Sequence, residues 1–199
     1  MVLKLNRSNS KLEFLYENLN TNSNVIISGG NTLKKLFNKS NKFKKQIKIK
    51  NLLLADERLV NLKSRYRNDL YFKTFLKKRI IICKNFYYYK KENYNEKYLK
   101  SFSNKISKIH FDTCLLSLGS NCHVASIFDY NISTNLNYFF VDNSPKKPKK
   151  RVSISPKLII DSNKIIIVAQ RTKRRKEIND IFKINFFKKL RKKIILIIL

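Results

Sequence analysis

The stretch FDTCLLSLGSNCHVASIF, residues 111–128, decides the fold. Its first half is an apolar run through Leu115 and Leu116 that stops at Gly119. Its second half places His123 ahead of a second short apolar run. A brief apolar run closed by a glycine reads as a buried strand ending in a turn. His123, one of only two histidines in the chain, therefore stands just beyond a strand's carboxyl end.

The same grammar repeats on either side. Upstream, SKLEFLYENLN (10–20) places Leu12, Leu15 and Leu19 at helical spacing; NVIISGG then reads as a strand broken by two glycines, and TLKKLFNK as a helix start. A second unit, IKIKNLLLADERLV, carries a buried strand at Leu52–Leu54 that runs into a charged cluster, and NDLYFKTFLKKR follows as a helix with Leu70, Phe72, Phe75 and Leu76 largely inward. Downstream, the β-branched run Ile165–Val168 reads as a strand, RRKEINDIFKINFF as one helix, and KKIILIIL as a last buried strand. Apolar strands alternating with helices predict an α/β fold, a three-layer αβα arrangement with a mostly parallel sheet covered on both faces. The length, 199 residues, suits one such domain over 1–199. In such sheets ligands bind beyond the carboxyl ends of the strands. SGGNT, ADERLV and GSNCH, each directly after a strand, are thus expected to share one cleft. The segment DNSPKKPKKR (142–151) reads as a loop crossing the surface.

Composition narrows the function classes. Lys and Arg number 44 against 13 acids, a net charge of +31, which draws polyanions wherever it is concentrated. The lysines are spread from Lys4 to Lys193, with only three glycines in the whole chain, so the charge reads as compositional drift and argues against nucleic acid as the main partner. The basic clusters also lack the interleaved aromatics of a single-strand platform. Three cysteines without a CxxC pair give neither a disulfide framework nor a zinc knuckle and fit a reducing cytoplasm. No apolar signal region or stretch of about 20 apolar residues is present, so no membrane is expected.

Taken in order, the motifs resemble those of the 6-phosphogluconolactonase family, which shares its fold with the glucosamine-6-phosphate deaminases. Ser28-Gly29-Gly30-Asn31-Thr32 is similar to the family's SGGST loop, with Leu33 where proline is usual. Asp56-Glu57-Arg58-Leu59-Val60 is similar to DERxV, and Asn68 matches the asparagine that ends that segment. Phe111-Asp112, Leu115-Leu116 and Gly119 through Phe128 correspond to FDLxLLGxGxDGHTASLF. Pro148 and Arg151-Val152-Ser153 resemble KPPxxRxT, and Gln170 through Lys173 stands in place of GxxK. The deaminase branch continues after His-x-Ala with Asn-Glu-Pro, whereas this chain reads Ser126-Ile127-Phe128-Asp129. The chain departs from the pattern at Asn121-Cys122 for Asp-Gly and at Ser117 and Gln170 for glycines. Asn121 tolerates a left-handed backbone, while Cys122 puts a side chain where the family has none, which bears on whether activity is retained.

The resemblance implies hydrolysis of a sugar-phosphate lactone without metal or cofactor. His123 is then the base that activates water, its ordinary pKa of about 6.5 lying near operating pH. Taken alone, such a histidine is more readily the cap of a helix start. Arg58 binds phosphate or steadies the oxyanion, with Asp56 orienting it or a substrate hydroxyl, and Asn121 completes the catalytic set; the plain alternative for Arg58 is a local ion pair. Gly29, Gly30, Asn31 and Thr32 form an anion seat at a helix start. Ser126, Arg151 and Lys173 are the further substrate contacts, with Arg175 or Lys176 as substitutes for Lys173. His110, Asp112 and Cys114 share a strand face at its entry and read as structural, and a Cys122–His123 dyad is rejected because adjacent residues seldom face one another. The rivals are a noncatalytic basic member of the fold binding sugar phosphate or nucleic acid, and a sugar-phosphate isomerase or deaminase.

Overall fold

The computed structural model describes residues 2–3, 8–40 and 46–199. In chain order the elements are β1 (Val2–Leu3), α1 (Ser8–Asn18), β2 (Asn24–Ile27), α2 (Asn31–Ser40), β3 (Ile47–Leu54), β4 (Asp56–Arg58), α3 (Asn68–Lys77), β5 (Ile81–Tyr87), α4 (Glu96–Ser107), β6 (Thr113–Ser117), β7 (Tyr138–Val141), β8 (Arg151–Ile154), α5 (Pro156–Asp161), β9 (Lys164–Ala169), α6 (Arg175–Asp180), α7 (Asn185–Lys189) and β10 (Ile194–Ile198). Seven strands form one sheet in the order β1-β10-β9-β6-β2-β3-β5, and every neighbouring pair is parallel.

Helices cover both faces because the central strands are apolar on both. Along β6 and β9, Cys114, Leu116, Ile165 and Ile167 enter one core with Leu99, Phe102 and Ile106 of α4. Leu115, Ile166 and Val168 enter the other, with Leu15 of α1, Leu33 and Phe37 of α2, and Phe72 and Phe75 of α3. This is the period-two alternation of a strand written in residues that are all apolar. Leu70 and Leu76 are only half-buried, so α3 turns a narrower stripe inward than expected. The side chain of Leu12 lies outside the described residues.

Three features depart from the sequence-based expectations. The charged cluster after β3 is not simply a loop: β4 pairs antiparallel with β8, and β8 with β7, in a separate three-stranded sheet. The helix expected over 174–187 is two short helices joined by a 3-10 turn at Ile181–Lys183, with extended backbone at Ile184. Ile181 and Phe187 are both fully buried. Six residues apart, they would point about 120° away from each other on one continuous helix; the break lets both reach the core. Finally, the 142–151 segment does not merely cross the surface: Ser144 is buried, Arg151 begins β8, and Lys146 and Lys147 face the cavity described next.

Candidate active site

The strand ends do converge. At the carboxyl ends of β2, β6 and β9 opens a cavity of about 300 Å³ whose wall includes Ser28, Gly30, Asn31, Thr32, Asp56, Arg58, Gly119 and His123. The chain's three glycines, Gly29, Gly30 and Gly119, all belong to this region. Two of them are required by close approach. A Cβ on Gly119 would fall inside the His123 ring, and one on Gly29 would fall inside the Asn68 carboxamide.

His123 follows a single 3-10 turn, Ser120–Cys122, in which Asn121 (φ 54°) and Cys122 (φ 57°) are both left-handed; Ala125 (φ 51°) is a third. This backbone excludes an α-helix start here, so His123 opens none and instead closes the 3-10 turn. The turn brings the Ser120 carbonyl 2.6 Å from His123 Nδ1. A carbonyl can only accept, so Nδ1 carries the proton in the neutral ring and Nε2 keeps its lone pair. Phe128 packs against the ring at 4.7 Å between centroids. Burial lowers the His123 pKa below the usual 6.5, and Lys146 and Arg151 push the same way, against the Ser120 bond and the Asp56 charge. Its surroundings therefore favour the neutral imidazole, on a residue that lines the cavity.

Asp56 is the one carboxylate in the cavity wall among the described residues. It is held from beneath: Ser126 Oγ donates to Oδ2 at 2.8 Å, and Asn68 Nδ2 donates to the Asp56 carbonyl at 2.9 Å and approaches Oδ1 at 3.3 Å. Neighbouring Glu57 faces the other way, fully buried. Its carboxylate accepts the backbone N–H groups of Arg58, Asn68 and Asp69, each at 2.8 Å, and lies 3.7 Å from the guanidinium of Arg67. Arg67 is itself buried and also bonds Asp69 and the carbonyls of Tyr89 and Lys91. Burial drives the Glu57 carboxyl up to about 7, opposed by Arg67 and the three amides. This network fixes the backbone of Arg58 and the first turn of α3, and with them the positions of Arg58 and Asn68.

The cations are arranged against their own electrostatics. Arg58 and Arg151 are direct partners across the antiparallel pair β4 and β8, a juxtaposition that costs energy unless an anion lies between them. Asp56 Oδ2 sits 4.0 Å from Arg58 Nε, which is buried and makes no hydrogen bond; Ser117 Oγ is equally buried and unpaired. Arg151 has three nitrogens engaged, Nε with the Pro148 carbonyl, Nη2 with the Lys146 carbonyl and, at 3.4 Å, Nη1 with Ser126 Oγ. It therefore holds the 144–150 loop as well as facing the cavity. On the opposite wall, Gly30 accepts from Lys34 N, so the amides that open α2 have no partner within their helix.

Most of the sequence-predicted residues meet here: His123, Arg58, Asp56, Gly30, Asn31, Thr32, Arg151 and Lys173 all line the cavity. Three do not. Gly29 lies behind the wall against Asn68. Ser126 is fully buried, its Oγ donating to Asp56 Oδ2 and accepting from Arg151 Nη1 without lining the cavity itself. Asn121 is exposed, with its N–H on Glu177 Oε1 at 3.2 Å, and serves the turn rather than the cavity. Arg174 lines the site beside Lys173, whereas Arg175 and Lys176 do not. Lys146, Lys147 and the Glu57–Arg67 pair were missed. The loop lysines look like any others in so basic a chain, and no periodicity marks Arg67 as buried. His110, Asp112 and Cys114 bond Asn163, the Asn24 amide and Ser162 respectively, away from the cavity.

The chain is similar to known proteins in both sequence and fold. A sequence model described as glucosamine-6-phosphate isomerases/6-phosphogluconolactonase matches residues 11–189. No curated protein matches the chain in sequence. Among solved structures, a 6-phosphogluconolactonase from Thermotoga maritima superposes with a TM-score of 0.81 at 22% identity, over 100% of this chain and 97% of that one. The Trypanosoma brucei 6-phosphogluconolactonase gives 0.76 at 17% identity, over 100% and 95%, and that of Leishmania guyanensis 0.75 at 16%, also over 100% and 95%. The family match contains every residue of the cavity wall, and the chain accordingly belongs to the glucosamine-6-phosphate isomerase/6-phosphogluconolactonase family.

Proposed function

We propose that the chain hydrolyses 6-phospho-D-glucono-1,5-lactone to 6-phosphogluconate in the pentose phosphate route, acting in the cytoplasm. The observation that carries this reading is the setting of His123, whose Nδ1 is engaged by the Ser120 carbonyl in a cation-lined cavity, which leaves Nε2 as the base atom. In the first step Nε2 takes a proton from water while the hydroxyl oxygen forms a bond to the lactone carbonyl carbon. The resulting oxyanion develops in the field of the cavity's cations. Collapse re-forms the carbonyl and breaks the bond to the ring oxygen, which receives the proton back from the imidazolium. One water is consumed and one carboxylic acid is formed.

The substrate phosphate fits between Arg58 and Arg151, whose opposition across the strands an anion relieves, with the amides of Asn31 and Thr32 as further donors. Asp56, held by Ser126 and Asn68, limits how far Arg58 swings and offers an acceptor for a sugar hydroxyl. The names of the similar structures lean the same way, toward lactonase rather than deaminase.

The test is a substrate pair. Purified protein is given the lactone, with 6-phosphogluconate measured above spontaneous hydrolysis, and separately glucosamine 6-phosphate, with ammonia measured. Acceleration of the first alone is expected. Ammonia release without lactone acceleration would overturn the reading.

A further inference from the structure

The cavity carries more positive charge than one phosphate uses. Its wall holds six basic side chains, Arg58, Lys146, Lys147, Arg151, Lys173 and Arg174, against the single carboxylate of Asp56. A phosphate monoester brings a charge of about −1.5 to −2 at pH 7, which Arg58, Arg151 and the α2 amides suffice to balance. Two of the remaining cations come from separate elements. Lys146 comes from the 144–150 loop and Arg174 from the turn after β9, and they are brought together by elements far apart in sequence.

This group is built rather than incidental. Buried Arg151 bonds the carbonyls of Lys146 and Pro148, and the Lys146 amide rests on Ser144 Oγ, so the loop is fixed over the cavity. Arg174 is anchored by its own N–H on the Gln170 carbonyl. Burial lowers the Lys146 pKa, and Arg174 and then Arg151 lower it further, with only Glu177 opposing. A cavity wall that gathers like charges with a single carboxylate among them favours an anion.

We propose that Lys146 and Arg174 form a second anion subsite at the cavity mouth, and that the site accepts small molecules bearing two or more phosphoryl groups, one on Arg58 and Arg151 and the next on this pair. The proposal rests on reading Arg58 and Arg151 as the first phosphate seat. It gives the enzyme a class of ligand beyond its monophosphorylated substrate, able to occupy the site in competition with it.

The probes are orthophosphate and linear tripolyphosphate, titrated calorimetrically at matched ionic strength in chloride. Three proteins are compared: the wild type, Lys146→Ala/Arg174→Ala, and the control Lys48→Ala/Lys50→Ala, whose lysines are exposed on β3. Two charge-assisted contacts, discounted for exposure, predict tripolyphosphate at least about 10-fold tighter than orthophosphate in the wild type and in the control. In the Lys146/Arg174 variant the ratio falls to within about 3-fold, while orthophosphate affinity holds. Equal affinities in the wild type, an unchanged ratio in the variant, or the same loss in the control would each overturn the subsite. Lactone turnover on the same preparations separates the two readings. Selectivity without turnover contradicts the hydrolase and keeps the subsite, and turnover without selectivity does the reverse.

Discussion

Replacing Glu57 by glutamine tests whether the buried network beneath the site holds Arg58 and Asn68 in place. At pH 8, above the value of about 7 to which burial raises it, the carboxylate is ionised. Oε1 accepts the amides of Arg58 and Asn68, and Oε2 accepts that of Asp69 and faces Arg67 at 3.7 Å. Glutamine keeps one oxygen and turns an NH2 toward a donor, so one hydrogen bond to a charged group is lost, worth about 1.5–3 kcal/mol. Removing one partner of a buried pair costs about 3–5 kcal/mol in general. The cost here lies at the lower end, since Arg67 Nε keeps Asp69 at 2.7 Å. The expected loss is about 3 kcal/mol, or roughly 6–12 °C in Tm for a domain of this size. Chemical denaturation at pH 8 measures it, and kcat/KM for the lactone should fall in parallel because Arg58 and Asn68 shift. A loss under about 1 kcal/mol, the size of an exposed interaction, would refute the network.

Gly119→Ala places a methyl group inside the His123 ring; the imidazole must leave its seat, so kcat/KM should drop by about 10²-fold or more while circular dichroism stays native. For pH, burial lowers the His123 pKa below 6.5 and the reacting form is neutral. The kcat/KM profile should accordingly show two falls as pH drops, one from Glu57 near 7 and a deeper one from the imidazole below 6.5; absence of the lower fall would count against the imidazole as base. Cys122→Gly frees a left-handed residue, worth about 1–2 kcal/mol, but gives up a buried thiol of similar worth. Stability should stay within about 1 kcal/mol, and a larger loss in a urea titration would mean that the Cys122 side chain is integral to the turn.

The sheet was legible because β2, β6 and β9 are short apolar runs that stop at glycine or polar residues, and β3 and β10 each hold an apolar run of their own. In a parallel sheet those runs leave few alternatives. Convergence of SGGNT, ADER and GSNCH followed from topology alone, since consecutive parallel strands present their carboxyl ends on one side. What stayed hidden depends on contacts between distant segments. Nothing local says that Asp56–Arg58 pairs with Arg151–Ser153, yet that pairing sets two arginines side by side. Arg67 reads as one cation among 44 and is nearly inaccessible, at 1% exposed. Ser126 lies three residues from His123 and reads as a site residue; only the turn through Asn121, Cys122 and Ala125 reveals that it points back to Asp56. The 174–187 break follows from burying Ile181 and Phe187 together, which sequence periodicity does not record.

The central claim is that His123 Nε2 takes the proton from water. His123→Asn retains a polar side chain of smaller size at the end of the same turn, so the fold and phosphate binding should persist. Stopped-flow measurement of lactone hydrolysis above the spontaneous rate, at pH 7 and saturating substrate, should then show kcat reduced by about 10²–10⁴-fold with KM little changed. A variant that turns over the lactone at the wild-type rate would contradict the account.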